Sequence, residues 1–105
     1  MEDVVDACVR EDRNRIFTQR VTEKEAPNYF EYVKNPMDLS VMKGKTKRRE
    51  YRNLDQFRDD LELLRQNSIL YNGPTHVVTD IAKDLERVAL KKISENNLDT
   101  FEFSI

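Results

Sequence analysis

The segment NLDQFRDDLELLRQNSILYNGP, residues 53–74, decides how the rest of the chain is read. Phe57, Leu61, Leu64, Ser68 and Tyr71 recur at steps of four and three, the spacing that lines side chains along one face of an α-helix. Asn53 suits an N-cap, and Gln56 stands three residues later, where a capping-box partner belongs. Gly73 and Pro74 are the usual punctuation after a helix end. The stretch therefore predicts one long helix whose buried stripe lasts to its final turn. Asn72 stands at that end, four residues after Ser68 and on the flank of the stripe, where an amide needs partners. Taken alone, it reads as a helix terminator.

Working outward, Thr75 is expected to start a last long helix, in which Val78, Ile81, Ala82, Leu85, Val88, Ala89 and Ile93 keep helical spacing. Upstream, a short helix is expected over residues 37–43. Pro36 lies near its start, Asp38 can cap its amides, Gly44 would end it, and Met37, Leu39, Val41 and Met42 supply apolar contacts. A first helix is expected over residues 2–14, with Val5, Cys8, Val9 and Asp12 at the same period and Glu2 and Asp3 at its positive end.

Residues 14 to about 35 show no single period, yet they hold Ile16, Phe17, Val21, Ala26, Tyr29, Phe30, Tyr32 and Val33. Connections this long are uncommon inside a small domain and usually functional, and the apolar content implies that this one packs and lines something. Phe30 and Tyr32 read as core aromatics. The chain has only two glycines and three prolines, and strand-like alternation is nearly absent before residue 98. The expected class is all-α: a four-helix bundle with a long loop between its first two helices. The tail LDTFEFSI, residues 98–105, alternates Leu98, Phe101, Phe103 and Ile105 and reads as extended, against the bundle or a following chain.

At 105 residues, one core and one domain, 1–105, are expected. A net charge of -2 from 18 basic and 20 acidic residues gives no general pull toward nucleic acid or an anionic membrane. Cys8 is the single cysteine, which excludes an internal disulfide and favours a reducing compartment. With a single His76 besides, no metal site and no cofactor are expected. The acidic start and the lack of a run of roughly 18 apolar residues argue against a membrane partner.

Two quoted segments carry a family resemblance. APNYFEYVKNPMDLSVM, residues 26–42, followed some thirty residues later by NSILYNGP, residues 67–74, resembles the bromodomain family of acetyl-lysine-binding modules, and the match runs over essentially the whole chain. NRIFTQRVTEKEAPNY, residues 14–29, is similar to the loop of bromodomains from nuclear AAA-type ATPases, with a shelf of Arg15, Ile16 and Phe17. The link YNGPTHVV is shorter than in that subfamily, and Arg20 replaces the proline that commonly precedes the loop valine.

The resemblance implies a left-handed bundle and a set of roles. Asn72 would donate its amide to the acetyl carbonyl, and Tyr29 would hold a bridging water. Phe17 and Val21 would form an apolar wall, Val78 would stand as a small gatekeeper, and Tyr71 would pack beside Asn72. Ile16, Ala26 and His76 are rim candidates. The expected function is non-enzymatic recognition of acetylated lysine on histone tails or other acetylated proteins, in the nucleus, by a monomeric domain. Ala26 and Lys24 stand where many members have leucines, which implies a wider, more polar channel.

Each residue also has a blander reading. Phe17 and Val21 serve equally as loop packing, and His76 as a solvent-facing residue near a helix start. The basic run KGKTKRR, residues 43–49, is the one nucleic-acid candidate, through Lys43, Lys45, Lys47, Arg48 and Arg49. Such runs are mostly solvated faces, and no aromatic platform interleaves this one. The alternatives to an acetyl-lysine reader are a scaffold that binds partners through its surface and a helical domain touching nucleosomal DNA. No phosphate-cradling glycine loop, nucleophile pair or metal set supports an enzyme.

Overall fold

A computed structural model describes residues 1–96, so the tail at 98–105 lies outside the described residues. Among those residues the order is α1 (Glu2–Glu11), α2 (Tyr29–Tyr32), α3 (Leu39–Lys47), α4 (Leu54–Asn72) and α5 (Val77–Glu95). The four longer helices form the all-α bundle. α1 packs against α5 and α3, while α4 packs against α5 and carries α2 on its flank.

The caps behave largely as the side chains dictate. Asn53 Oδ1 accepts the Gln56 N–H at 3.0 Å, while Gln56 Oε1 reaches past Asn53 to accept the Arg52 N–H at 2.7 Å. Asp38 caps α3 by accepting the Val41 N–H at 3.0 Å. Each such cap contributes about 1 kcal/mol. The helical period then delivers Val4, Val5, Cys8, Leu39, Met42, Phe57, Leu61, Leu64, Ile81, Leu85, Ala89 and Ile93 to one core. Fully burying a large aliphatic or aromatic side chain contributes about 1.5–3 kcal/mol. Burial also pushes the Cys8 thiol up to about 12, while its Sγ donates to the Leu85 carbonyl at 3.5 Å.

Several boundaries differ from the sequence reading, each for a local reason. α1 stops at Glu11 because Asp12 turns extended and is buried, its carboxylate committed to the loop. The expected irregular segment contains a short 3-10 turn at Arg13–Arg15 and the one-turn helix α2. Gly44 does not end α3, which runs on to Lys47. A Cβ there would meet Arg48 Nη1 at 2.8 Å, so the missing side chain makes room for that guanidinium along the helix. α5 is capped by His76 rather than Thr75, its Nδ1 accepting the Val78 N–H at 3.0 Å. Val41 and Tyr32 were expected to pack inward but are 40% and 56% exposed, since α3 turns only Leu39 and Met42 inward and α2 is too short to cover both faces.

Candidate functional site

The loop between α1 and α2 is fastened before it reaches the site. Asp12 Oδ2 accepts from the Phe17 N–H at 2.8 Å and from Thr18 Oγ1 at 2.7 Å. The carbonyls of Phe17 and Thr18 in turn accept from Leu39 and Ser40 at the start of α3, at 2.8 and 3.1 Å. Phe17 is thereby buried at a fixed place. At the far end of the loop, Tyr71 Oη donates to the Pro27 carbonyl at 2.9 Å, and the Tyr29 ring meets that of Tyr71 edge-on at 5.1 Å. Asn67, buried on α4, donates from Nδ2 to the Asn35 carbonyl at 2.8 Å and holds the segment beyond α2.

Between loop and bundle lies a cavity of about 320 Å³. Its lining brings together Ile16, Phe17, Val21, Ala26, Tyr29, Tyr71, Asn72 and Val78, residues from the loop, α2, α4 and α5. Burial pushes the Tyr29 phenol up, so it stays protonated through the neutral range. Glu25 is the single carboxylate among the described lining residues.

A chain of three hydrogen bonds sets the Asn72 amide. Thr79 Oγ1 donates to the Gly73 carbonyl at 2.8 Å, which uses its one proton. Ser68 Oγ, 2.7 Å from Thr79 Oγ1, must then be the donor in that pair. Ser68 has only acceptor capacity left, and it accepts from Asn72 Nδ2 at 3.2 Å. The order of donors forces the amide nitrogen, not its oxygen, toward Ser68. One N–H of Asn72 remains for the cavity. Gly73, with φ +96, ends α4 directly after Asn72, in a backbone region that favours glycine.

The bromodomain family model matches residues 1–84. The chain belongs to the bromodomain family. It is 40% identical over 86 residues to bromodomain-containing protein 9 of Xenopus tropicalis, and 44% identical over 73 residues to transcription initiation factor TFIID subunit 1 of Arabidopsis thaliana. Those matches cover 82% and 69% of this chain but 14% and 4% of the relatives, so it spans a small part of either. The bromodomain of human BAZ1A superposes with a TM-score of 0.80 at 26% identity, covering 92% of this chain and 91% of the other. Bromodomains are in general acetyl-lysine readers of chromatin and transcription, and reader modules rather than enzymes.

Within this bromodomain, His76 stands apart from the other candidates: it caps α5 and is not among the cavity residues. The sequence reading kept Met37 as an apolar helix contact, noted Ser68 only for its place relative to Asn72, and left Asn67 out. The signal was present in Asn67 and Ser68, polar residues three and four positions after Leu64 on a stripe otherwise apolar.

The basic run is largely spent on internal partners. Lys43 Nζ reaches Asp6 at 2.9 Å, Lys45 Nζ reaches Asp60 at 2.7 Å and lies over the Tyr51 ring, and Arg48 pairs with Glu50. That leaves Lys47 and Arg49 without a carboxylate partner among the described residues. No group of three or more His, Cys, Asp or Glu able to hold a metal occurs among them, and no helix there is long and apolar enough to cross a membrane.

Proposed function

We propose that this bromodomain binds acetylated lysine in the cavity between its long loop and the ends of α4 and α5, on histone tails or other acetylated nuclear proteins. The observation that carries the reading is the Asn72 amide, turned by Ser68 so that an N–H remains for a cavity lined by Phe17, Val21, Tyr29 and Val78. Acetylation removes the lysine charge and leaves a neutral amide with a methyl, and such a group needs one donor and an apolar wall. Asn72 serves the carbonyl, Tyr29 a water that bridges to it, and Phe17 and Val21 the methyl.

Discrimination comes from desolvation. An unmodified ammonium entering the cavity would lose its hydration at a cost of several kcal/mol. The one carboxylate among the described lining residues, Glu25, is exposed and already accepts from Thr22 Oγ1 at 3.0 Å. A neutral hydrogen bond adds about 0.5–1.5 kcal/mol net, so a single mark is bound in roughly the micromolar range or more weakly. Further contacts along a multiply marked partner supply the rest. A nuclear location fits the transcription factor named among the relatives.

Calorimetric titration of acetylated and unmodified copies of one histone-tail peptide tests the proposal, with Asn72→Ala beside the wild type. The acetylated peptide should bind at least tenfold (an order-of-magnitude expectation) tighter than the unmodified one, and N72A should lose that binding with its helical content intact. Equal binding of both peptides by the wild type would sink the proposal.

A further inference from the structure

The cavity is lined by two arginines as well as by its apolar wall. Arg15 and Arg20 both contribute to the lining and both are exposed, which places them where the cavity meets solvent. Arg15 follows Asn14 in left-handed backbone, φ 55 after φ 61, so the chain turns sharply at this point. The Arg20 guanidinium lies 5.9 Å from the centroid of the Phe30 ring, next to Tyr29, an arrangement that restrains a cation without neutralising it.

Six cations away from the opening have a carboxylate within reach. Arg13 and Arg87 share Asp84, Arg65 lies against Glu62 and Glu86, and Lys43, Lys45 and Arg48 each have a carboxylate. Arg15 and Arg20 have no such partner among the described residues. Glu25, the one acid among the described lining residues, is engaged with Thr22 instead. The opening therefore carries two cations against one anion, on a chain whose net charge is -2.

We infer that Arg15 and Arg20 select acetyl-lysine in an acidic context, reading an anionic side chain close in sequence to the modified lysine. The inference rests on the acetyl-lysine proposal and adds the class of peptide. An extended peptide advances about 3.3–3.6 Å per residue, so the groups that reach the opening belong to the first two or three positions on either side of the inserted lysine. A carboxylate or a phosphate there meets guanidinium forks that match it in shape and charge. A lysine-rich flank meets like charge instead. Aspartate, glutamate and phosphoserine share this chemistry, and the experiment separates them.

The test uses one peptide sequence in five forms. Four carry acetyl-lysine with neutral, aspartate, phosphoserine or lysine flanks, and the fifth carries unmodified lysine with aspartate flanks. Binding is measured by fluorescence anisotropy at low and at high salt, for the wild type and for the R15Q/R20Q variant. Exposed pairs contribute modestly, so the acetylated aspartate form should bind about three- to tenfold tighter than the acetylated lysine-flanked form. That advantage should shrink at high salt and fall to about twofold or less in R15Q/R20Q, whose thermal melt verifies the fold. A further gain for phosphoserine over aspartate supports the inference and makes phosphate the preferred anion. Equal binding of the four acetylated forms overturns it and leaves acetyl-lysine recognition standing. Equal binding of the acetylated and unmodified aspartate forms overturns the proposal beneath it.

Discussion

Ser68 Oγ and Thr79 Oγ1 lie 2.7 Å apart and join α4 to α5 beside the Asn72 amide. Both side chains are buried, at 3% and 0% exposure, so water does not replace either partner cheaply. Ser68→Ala should weaken acetyl-peptide binding about three- to tenfold, because the amide loses the acceptor that orients it. The melting temperature should fall by about 4–8 °C for each kcal/mol lost in a domain of this size. Thr79→Ser, which keeps the hydroxyl, should retain most of the affinity. Calorimetry and thermal melts on the same samples measure both effects.

Tyr71→Phe removes one hydroxyl and one tie. That hydroxyl reaches the Pro27 carbonyl across 44 positions of sequence, and a net loss of about 1 kcal/mol is expected. Stability should fall less than local order: the Tyr29 amide, which donates to the Ala26 carbonyl at 3.1 Å, should exchange its hydrogen faster than core amides such as that of Leu61. Hydrogen exchange followed by NMR resolves the two.

Gly44→Ala should stabilise the protein by about 0.5 kcal/mol, since glycine inside a helix costs roughly 0.5–1 kcal/mol relative to alanine. The new Cβ would crowd the Arg48 guanidinium, the far end of a side chain 62% exposed, which can rotate away. The Arg48–Glu50 pair lost in that movement is a surface pair of small value. A urea titration showing a lower midpoint for G44A would contradict this account.

Alkaline pH should loosen the fold. The Cys8 thiol is raised from 9.0 to about 12, first by burial and then by the charges of Asp12 and Glu11. Its contribution is fully present below pH 9 and is lost as pH climbs toward 12, because the unfolded thiol ionises first. The slope approaches about 1.4 kcal/mol per pH unit within that window. Tyr29 and Tyr51, both raised by burial, add the same sign at higher pH. Urea unfolding between pH 8 and 11 should show the decline, and Cys8→Ala should flatten its first part.

The helices that bury one face were legible because their period and caps are local properties. Asn53, Asp38 and the stripe from Phe57 to Ser68 did as their spacing required. Gly44 was misread because its use depends on Arg48 folding over it, a fact of side-chain packing and not of helix propensity. The one-turn helix α2 escaped because its Asn28 cap is in the left-handed region and its burial on α4 comes from tertiary contact. At the site, Asn72 and the loop residues were visible as a pattern. The direction of the Asn72 amide was not, because it follows from a proton sequence running through Thr79 on another helix.

The loop is held at Phe17 and Thr18 by Asp12 and α3, and again at Pro27 by Tyr71. Between those fastenings, the described hydrogen bonds of residues 19–25 stay within a single turn, Thr22 to Glu25 and Ala26. Substitutions at Gln19, Arg20, Glu23 or Lys24 thus fall on backbone that the core does not depend on. Ligand preference and folding are separately adjustable in this molecule: selection, or an engineer, can rewrite what the opening accepts without first finding a compensating change in the bundle.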